Sequence, residues 1–393
     1  MDILMIAHFI TEFKKNGTSR FIFIAENLSD SNNVELVTST FDHLRKEQRK
    51  KCNYDLNTKI TLIQEKSYPK NVCLKRFVSH YEFGKNVKNY LESRKKPDVI
   101  YCAVPSLDCA YEAARFAAQN NIKFIIDVQD LWPEAFKMVF NIPLISDVMF
   151  GPMKAKADYI YSRADEIVGV SDTYCKRALS VNSKVQKANT VFLGTDVVNF
   201  DKFASENSVP KESGKIRLAY CGTLGHSYDL KCVFDALNII SANGYKNIEF
   251  WVMGDGPLKT SFEKYAAEKD INVVFWGRVP YEKMCGLLTS CDICINPIAK
   301  GAAGSIINKH ADYAASGLPV INTQECKEYR DLVDTYKFGL NCVCGNAESI
   351  SEALQYLLDS PEQRNSMGCA SRKAADELFD RKKSYLSIFS ILK

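Results

Sequence analysis

DICINPIAKGAAGSIINKHADYAASGLPVINT, residues 292–323, carries in one span a strand, a glycine-containing loop, a helix and a second strand. DICINPI is nearly continuous in apolar residues, as expected of a strand buried on both faces. Gly301-Ala302-Ala303-Gly304-Ser305 interrupts it. Ser305 is an N-cap candidate, so the pattern predicts a helix from there to about Ser316, stopped at Gly317. Pro319 then hands the chain to LPVINT, a second buried run. Two buried strands joined through a helix are the repeating unit of a parallel sheet.

The same rhythm extends in both directions. Upstream in the second half lie KIRLAYCG (215–222), IEFWVMG (248–254) and NVVFWG (272–277), and downstream LNCVC (340–344). Helical patterns separate or follow them at Leu230–Ala242, Leu258–Glu268 and Ile350–Leu358. The first half repeats the theme with DILMIA (2–7), VELVTST (34–40), ITLI (60–63), DVIYCAV (98–104), KFIIDV (123–128) and EIVGVS (166–171). Its helical segments include Leu107–Gln119 and Lys154–Ala164. Between the sets, FDKFASENSVPKESGK (200–215) has the Ser, Pro and Gly of a linker. The expected architecture is α/β, with two Rossmann-like domains facing across a cleft. The expected division is 1–206 and 207–380, with 381–393 as a closing helix. Ligands of such sheets bind beyond the C-terminal ends of the strands.

Composition narrows the class. With 51 Lys+Arg against 47 Asp+Glu the net charge is +4, too small to argue for nucleic acid. Hydrophobic residues at 46% exclude a disordered chain. The 14 Cys sit largely inside apolar runs, which reads as free thiols in a reducing compartment. Cys291/Cys294 and Cys342/Cys344 lie at strand edges rather than in zinc knuckles, so no metal site is expected. MDILMIAHFI lacks the basic region and cleavage site of a signal peptide, and no run is long enough to span a bilayer. A cytoplasmic protein is the expectation.

Chemistry concentrates in four glycine turns of the second half: Gly222-Thr223-Leu224-Gly225, Gly254-Asp255-Gly256-Pro257, Gly277-Arg278-Val279-Pro280 and 301–305. Glycine after a strand lets backbone approach a ligand, and a helix beginning there points N–H groups at an anion. One such turn is ordinary βα geometry; four on one sheet edge favour a phosphate or nucleotide site. Lys309 and Asp312 lie three apart on one helix face. A lysine there can neutralise phosphate and a carboxylate can hold ribose hydroxyls, although a solvated Lys–Asp pair would look the same in sequence.

These residues resemble the C-terminal domain of the group 1 (family 4) retaining glycosyltransferases of the GT-B fold. The likeness is carried by the turn at 222–225, MGDGP (253–257), VVFWGRVP (273–280) and K-x-x-D-Y-x-x-S-G-L-P-V-I (309–321). The tail 338–368 resembles that family's closing region. In the first half GTSR (17–20), SDTYCKRAL (171–179) and LGTDVVNF (193–200) match, and DLWPE (130–134) resembles the branch that builds bacterial surface polysaccharide, capsule or O-antigen. The resemblance implies transfer of a sugar from a nucleotide diphosphate sugar, UDP-linked in that branch, with retained anomeric configuration and no metal or other cofactor. It implies that Gly17 and Thr18 reach the donor phosphates, and that the N–H groups of Ser305, Ile306 and Ile307 hold the distal phosphate and sugar. Lys309 and Arg278 would neutralise charge, Val279 would edge the base and Asp312 would hold the ribose. Gly222, Thr223, Leu224, Gly254, Gly277 and Gly304 complete the expected donor site. The last helix would cross back onto the N-terminal domain.

The sequence departs from the family pattern twice. Gly304 stands where many members carry the first Glu of a Glu-x7-Glu pair, so that carboxylate contact to the donor sugar is missing. Gln129 or Asp130 stands where many carry a His. Asp130 could orient a sugar or acceptor hydroxyl, or merely cap the turn at Leu131. His8, His226 and His310 are further candidates. On the acceptor side, Ala135–Ala157 is dense in Phe, Met and Ile with lysines at its end, and basic clusters stand at Arg45–Lys51 and Arg94–Lys96. These fit a buried helix, or a peripheral membrane contact and a polyprenyl-linked or other glycan acceptor. Two other readings share the fold: a nucleotide-sugar epimerase, and a non-catalytic sugar-nucleotide-binding subunit.

Overall fold

The computed structural model describes residues 1–392 except Asn16, 51–53, Val72, 140–144 and Ala303, with the backbone alone at 137–139 and 145–147. Lys51 and the middle of the expected interfacial stretch 135–157 thus fall outside the described side chains. The chain divides into two units, Met1–Val191 with Tyr385–Lys393, and Phe192–Ser384.

The first unit is built on β1 (Asp2–Ile6), β2 (Asn33–Ser39), β5 (Lys59–Ile63), β6 (Val99–Val104), β7 (Lys123–Val128), β8 (Glu166–Gly169) and β9 (Asn189–Thr190). A short antiparallel hairpin, β3 (Phe41–Asp42) and β4 (Glu47–Gln48), stands beside it. The sheet order is β5-β2-β1-β6-β7-β8-β9, parallel throughout. Helices cover both faces, as continuous apolar strands demand. One cluster centres on Ile100, Phe83, Phe124 and Ile160, the other on Ile3, Met5, Ile24 and Tyr101. The second cluster also takes in Tyr385, Ile388 and Leu392 from the chain's end.

The second unit holds β10 (Ile216–Cys221), β11 (Ile248–Met253), β12 (Val273–Gly277), β13 (Ile293–Asn296), β14 (Val320–Asn322) and β15 (Gly339–Asn341). Their order, β12-β11-β10-β13-β14-β15, is again parallel. The order reverses direction at β10/β13, where ligands of open α/β sheets bind. The unit begins at Phe192, ahead of the expected boundary near Asn207. The helix Val197–Glu206 overlaps the start of the expected linker 200–215, and its Phe200 and Ala204 are buried in the second unit's core. Asp196 caps it, accepting from Asn199 N–H at 3.1 Å.

Candidate active site

The turns after β10 and β11 interlock. Gly222 N–H donates to the Met253 carbonyl at 3.0 Å, Leu224 N–H to Asp255 at 2.9 Å, and Leu258 N–H to Leu224 at 2.9 Å. A Cβ on Gly254 would collide with the Gly222 carbonyl, and one on Gly256 with the Leu224 backbone. The two glycines of MGDGP therefore serve the close approach of two loops. Gly222 differs, since its φ of 147° lies where side chains are disfavoured and its open face looks at a lysine.

That lysine is Lys309. Its Nζ stands 2.9 Å from the position a Gly222 Cβ would take. It lies 4.2 Å from the ring centre of Tyr220 and 4.0 Å from that of Tyr228. The residue as a whole is only half-buried, yet its nitrogen is enclosed and makes no hydrogen bond among the described residues. Burial pulls its pKa down to about 7. Two aromatic faces recover part of the lost hydration but leave the charge without an anion. The solvated Lys–Asp pair that the sequence allowed is not formed. Asp312 turns instead to Tyr281, whose hydroxyl donates to Oδ1 at 2.8 Å and lies 2.7 Å from Thr195 Oγ1. Burial raises the Asp312 pKa, against these hydrogen bonds.

The loop before Lys309 corrects one expectation. The helix runs Lys309–Ala315, so it starts four residues after Ser305, and Asn308 rather than Ser305 is its N-cap. Gln324 is the cause. Its Nε2 donates to the Ser305 carbonyl at 2.6 Å, while its Oε1 meets His310 Nε2 at 2.9 Å. A side chain has taken the carbonyl that a helical N–H would need. Ser305 and Ile306 are buried and Ile307 half-buried in this loop, and Gly304 is exposed. Their N–H groups belong to a loop held by Gln324, and a helix dipole does not act through them. His310, stacked on Tyr329 and pulled down to about 3 by burial, belongs to the same support.

The remaining candidates scatter. Gly277 has a φ of 65°, Arg278 and Thr223 are exposed, and Val279 packs against the core. His226 is exposed. In the first unit, Thr18 donates through both N–H and Oγ1 to Glu12, and a Cβ on Gly17 would strike the same carboxylate. Asp130 accepts from Leu131 N–H at 2.9 Å, Trp132 Nε1 at 3.1 Å and Tyr174 Oη at 3.3 Å. Burial raises its pKa. The structure thus brings together Gly222, Leu224, Gly254 and Lys309. It adds Tyr220, Tyr228, Tyr281 and Gln324, which the sequence reading missed because an aromatic or amide beside a strand reads first as core.

A second cluster joins His8, a candidate from the sequence, to Glu65 and His80, which the sequence reading missed. His8, Glu65 and His80, all buried, bring their ligand atoms within 4.8 Å of one another. Glu65 already accepts from His8 Nε2 at 2.7 Å and from the hydroxyls of Ser39 and Ser79. Burial pushes the His80 pKa down, and the neighbouring His8, Arg76, His43 and Lys46 push it further. That surrounding positive charge opposes a cation.

Residues 201–374 match the model of the family described as glycosyl transferases group 1. The chain is 28% identical over 125 residues to a GDP-mannose-dependent monoacylated alpha-(1-6)-phosphatidylinositol monomannoside mannosyltransferase of Corynebacterium glutamicum. That match spans 31% of this chain and about a third, 32%, of the relative. Among solved structures, HepE of Anabaena in complex with UDP superposes with a TM-score of 0.70 at 12% identity, covering 100% of this chain and 99% of that one. Sucrose-phosphate synthase of Thermosynechococcus elongatus gives 0.73 at 15% identity, over 99% and 98%. The fold is that of the GT-B glycosyltransferases, as the resemblance implied.

Proposed function

We propose that this chain, whose residues 201–374 carry a group 1 glycosyl transferase domain, transfers a sugar with retention from a UDP-linked donor to a glycan or polyprenyl-linked acceptor in surface-polysaccharide synthesis. Lys309 carries the reading: an enclosed ammonium beside a glycine at the switch point of a parallel sheet, with no carboxylate among the described residues to neutralise it. In transfer with retention the bond from the anomeric carbon to the diphosphate oxygen breaks, the acceptor oxygen bonds to that carbon on the face the diphosphate leaves, and the acceptor hydroxyl's proton passes to the departing diphosphate oxygen. Negative charge grows on the leaving diphosphate as it departs. A cation fixed in a poorly hydrated site stabilises that charge more than it stabilises the intact donor. Gly222 leaves room for a phosphate oxygen next to Nζ. Val279 and Arg278 follow the Gly277 turn on the same strand edge, for the base and the diphosphate, and Asp312 stands one turn beyond Lys309 for the ribose. Asp130, held by three donors in the first unit, is assigned to the acceptor side. The complex of HepE with UDP supports the choice of UDP, while the mannosyltransferase relative names GDP-mannose, so the base is the first thing to measure.

The chain, incubated with UDP- and GDP-sugars, should release nucleotide diphosphate only when an acceptor is present, and proton NMR should show the donor's anomeric configuration in the product. Epimerised donor without release would favour the epimerase, and binding without either product a non-catalytic subunit. Release should persist in EDTA, because the proposed charge neutralisation is by side chain. Loss in EDTA with rescue by Mg²⁺ would overturn that part.

A further inference from the structure

The helix Leu74–Ser93 of the first unit carries two faces. One buries His80, Phe83, Val87 and Leu91. The other exposes Leu74, Phe77, Val78 and Tyr81, which are 83, 43, 57 and 65% accessible. Their spacing of i, i+3, i+4 and i+7 puts them on one stripe two turns long. Single exposed apolar residues are ordinary, but four on one stripe form a patch. Half-buried Phe136 ties the patch to the core, its ring centre 6.0 Å from that of Phe77 and 6.0 Å from that of the buried Phe150. Val148 and Met149, just ahead of Phe150, are 81 and 56% accessible.

Charge identifies what covers it. The same helical stripe runs on into Lys85 and Lys88, at i+11 and i+14 from Leu74. Between Lys66 and Lys88 the chain has six basic residues against the single acid Glu82; Lys66 pairs with Glu82 at 2.9 Å and Lys88 with Glu92 at 3.8 Å, while Lys70, Lys75 and Lys85 are exposed with no ion pair among the described residues. A second copy of the chain would bring these lysines face to face, which a self-complementary interface disfavours. Apolar side chains set among lysines match the boundary of an anionic bilayer, where rings and aliphatic groups sit at headgroup depth and ammoniums meet lipid phosphates.

We propose that the exposed face of Leu74–Ser93, together with Val148 and Met149, seats the protein on an anionic membrane surface. This deepens the reading of a polyprenyl-linked acceptor and rests on it for its purpose, since an acceptor anchored in lipid must be met at the bilayer. Binding itself needs neither donor nor acceptor. The full chain, sedimented with phosphatidylcholine vesicles with and without phosphatidylglycerol, should bind only the anionic ones. Leu74→Ser/Val78→Ser/Tyr81→Ser changes exposed side chains, so its melting temperature should match wild type while its vesicle partitioning falls at least about tenfold. Lys70→Gln/Lys75→Gln should lose about fivefold per charge, in line with the electrostatic contribution of a juxtamembrane lysine. Wild-type partitioning by the triple variant, equal binding to neutral vesicles, or no binding at all would overturn the proposal. So would a dimer in solution that the triple variant converts to monomer, which would assign the patch to a second copy. Vesicle binding without sugar transfer from any donor would instead remove the proposed function and leave this surface standing.

Discussion

Lys309 is the residue at which stability and the proposed chemistry oppose each other. Its amine titrates near 7 in the folded protein against 10.5 for an ordinary lysine. A depressed lysine pKa means that the unfolded chain binds more protons between those values. The cost of the enclosed charge is therefore fully present below about pH 7, and stability contributed by this site rises as pH climbs toward 10.5. Lys309→Met, close in length and uncharged, should stabilise the free protein at neutral pH by roughly 1–3 kcal/mol, read from denaturant unfolding. The same variant should weaken UDP far more than uridine. In the wild type, a bound diphosphate restores the charged amine, so binding takes up a proton above pH 7. Affinity for UDP should then fall by up to about tenfold per pH unit above that point. Calorimetry in buffers of different ionisation enthalpy reads the proton directly, and a pH-independent affinity would remove Lys309 from the phosphate. Asp312 poses the complementary case. Its ribose role requires an oxygen left over from Tyr281, and Tyr281→Phe should cost roughly 1–2 kcal/mol by leaving a buried carboxyl less satisfied. Asp312→Asn should weaken UDP while sparing a dideoxy analogue. Equal losses for the two ligands would make Asp312 a support for the helix alone.

At the scale of elements, the central strands β1, β6, β7 and β13 were legible because they are buried almost throughout and show as apolar runs, whereas the two-residue polar β9 gave no signal; KFIIDV, read as 123–128, is β7 over those same residues. The helix Leu230–Ala242 was legible for its amphipathic period, and Asp229 caps it as its position suggests. The start of Lys309–Ala315 was not legible, because the side chain that shortens it, Gln324, arrives from the far end of the next strand. The hairpin β3–β4 was too short to signal itself. The glycine turns were legible as turns, but sequence could not divide those facing a ligand from those facing another loop. Coordinates do divide them. Gly254→Ala should destabilise by at least about 2–4 kcal/mol, because the Gly222 carbonyl it would strike is backbone and is fixed by its own strand. Gly225→Ala, which meets only a Thr223 methyl at 3.7 Å, should change the unfolding midpoint little. Comparable losses at both positions would mean that the interlocked turns are more adaptable than their hydrogen bonds imply.

Across the whole molecule the chain leaves the first unit at Val191 and re-enters it at Tyr385, so its last residues belong to a core laid down by its first. The apolar spacing of Tyr385, Leu386, Ile388, Phe389 and Ile391 announced a packed helix, and the structure shows what it packs on. Tyr385, Ile388 and Leu392 are buried with Ile3, Met5 and Ile24, and the Tyr385 ring meets Phe23 edge-on at 5.6 Å. The Arg20 guanidinium lies 4.6 Å from the Tyr385 ring centre. Arg20 is itself buried, donating from Nε to Asp127 Oδ2 at 2.8 Å and from Nη1 to the Val191 carbonyl at 3.0 Å. Tyr101 shares that carboxylate, its hydroxyl donating at 2.6 Å. One ion pair thus ties a helix start, the C-terminal end of β7 and the last residue of the unit's first segment, and the returning tail roofs it. Removing the roof should do more than open a cavity, because a buried ion pair that gains water on one side loses the enclosure that made it strong. Tyr385→Ala alone should cost about 3–5 kcal/mol, the range for truncating a large buried aromatic. Truncation after Ser384 should cost more and act locally. Hydrogen exchange should speed up in β1 and in the helix Arg20–Ser29 while β10, β11 and β13 keep their protection, and sugar transfer should be lost. A truncated chain that keeps wild-type protection in β1 and still transfers sugar would show that the tail is an appendage to the first unit rather than part of its core.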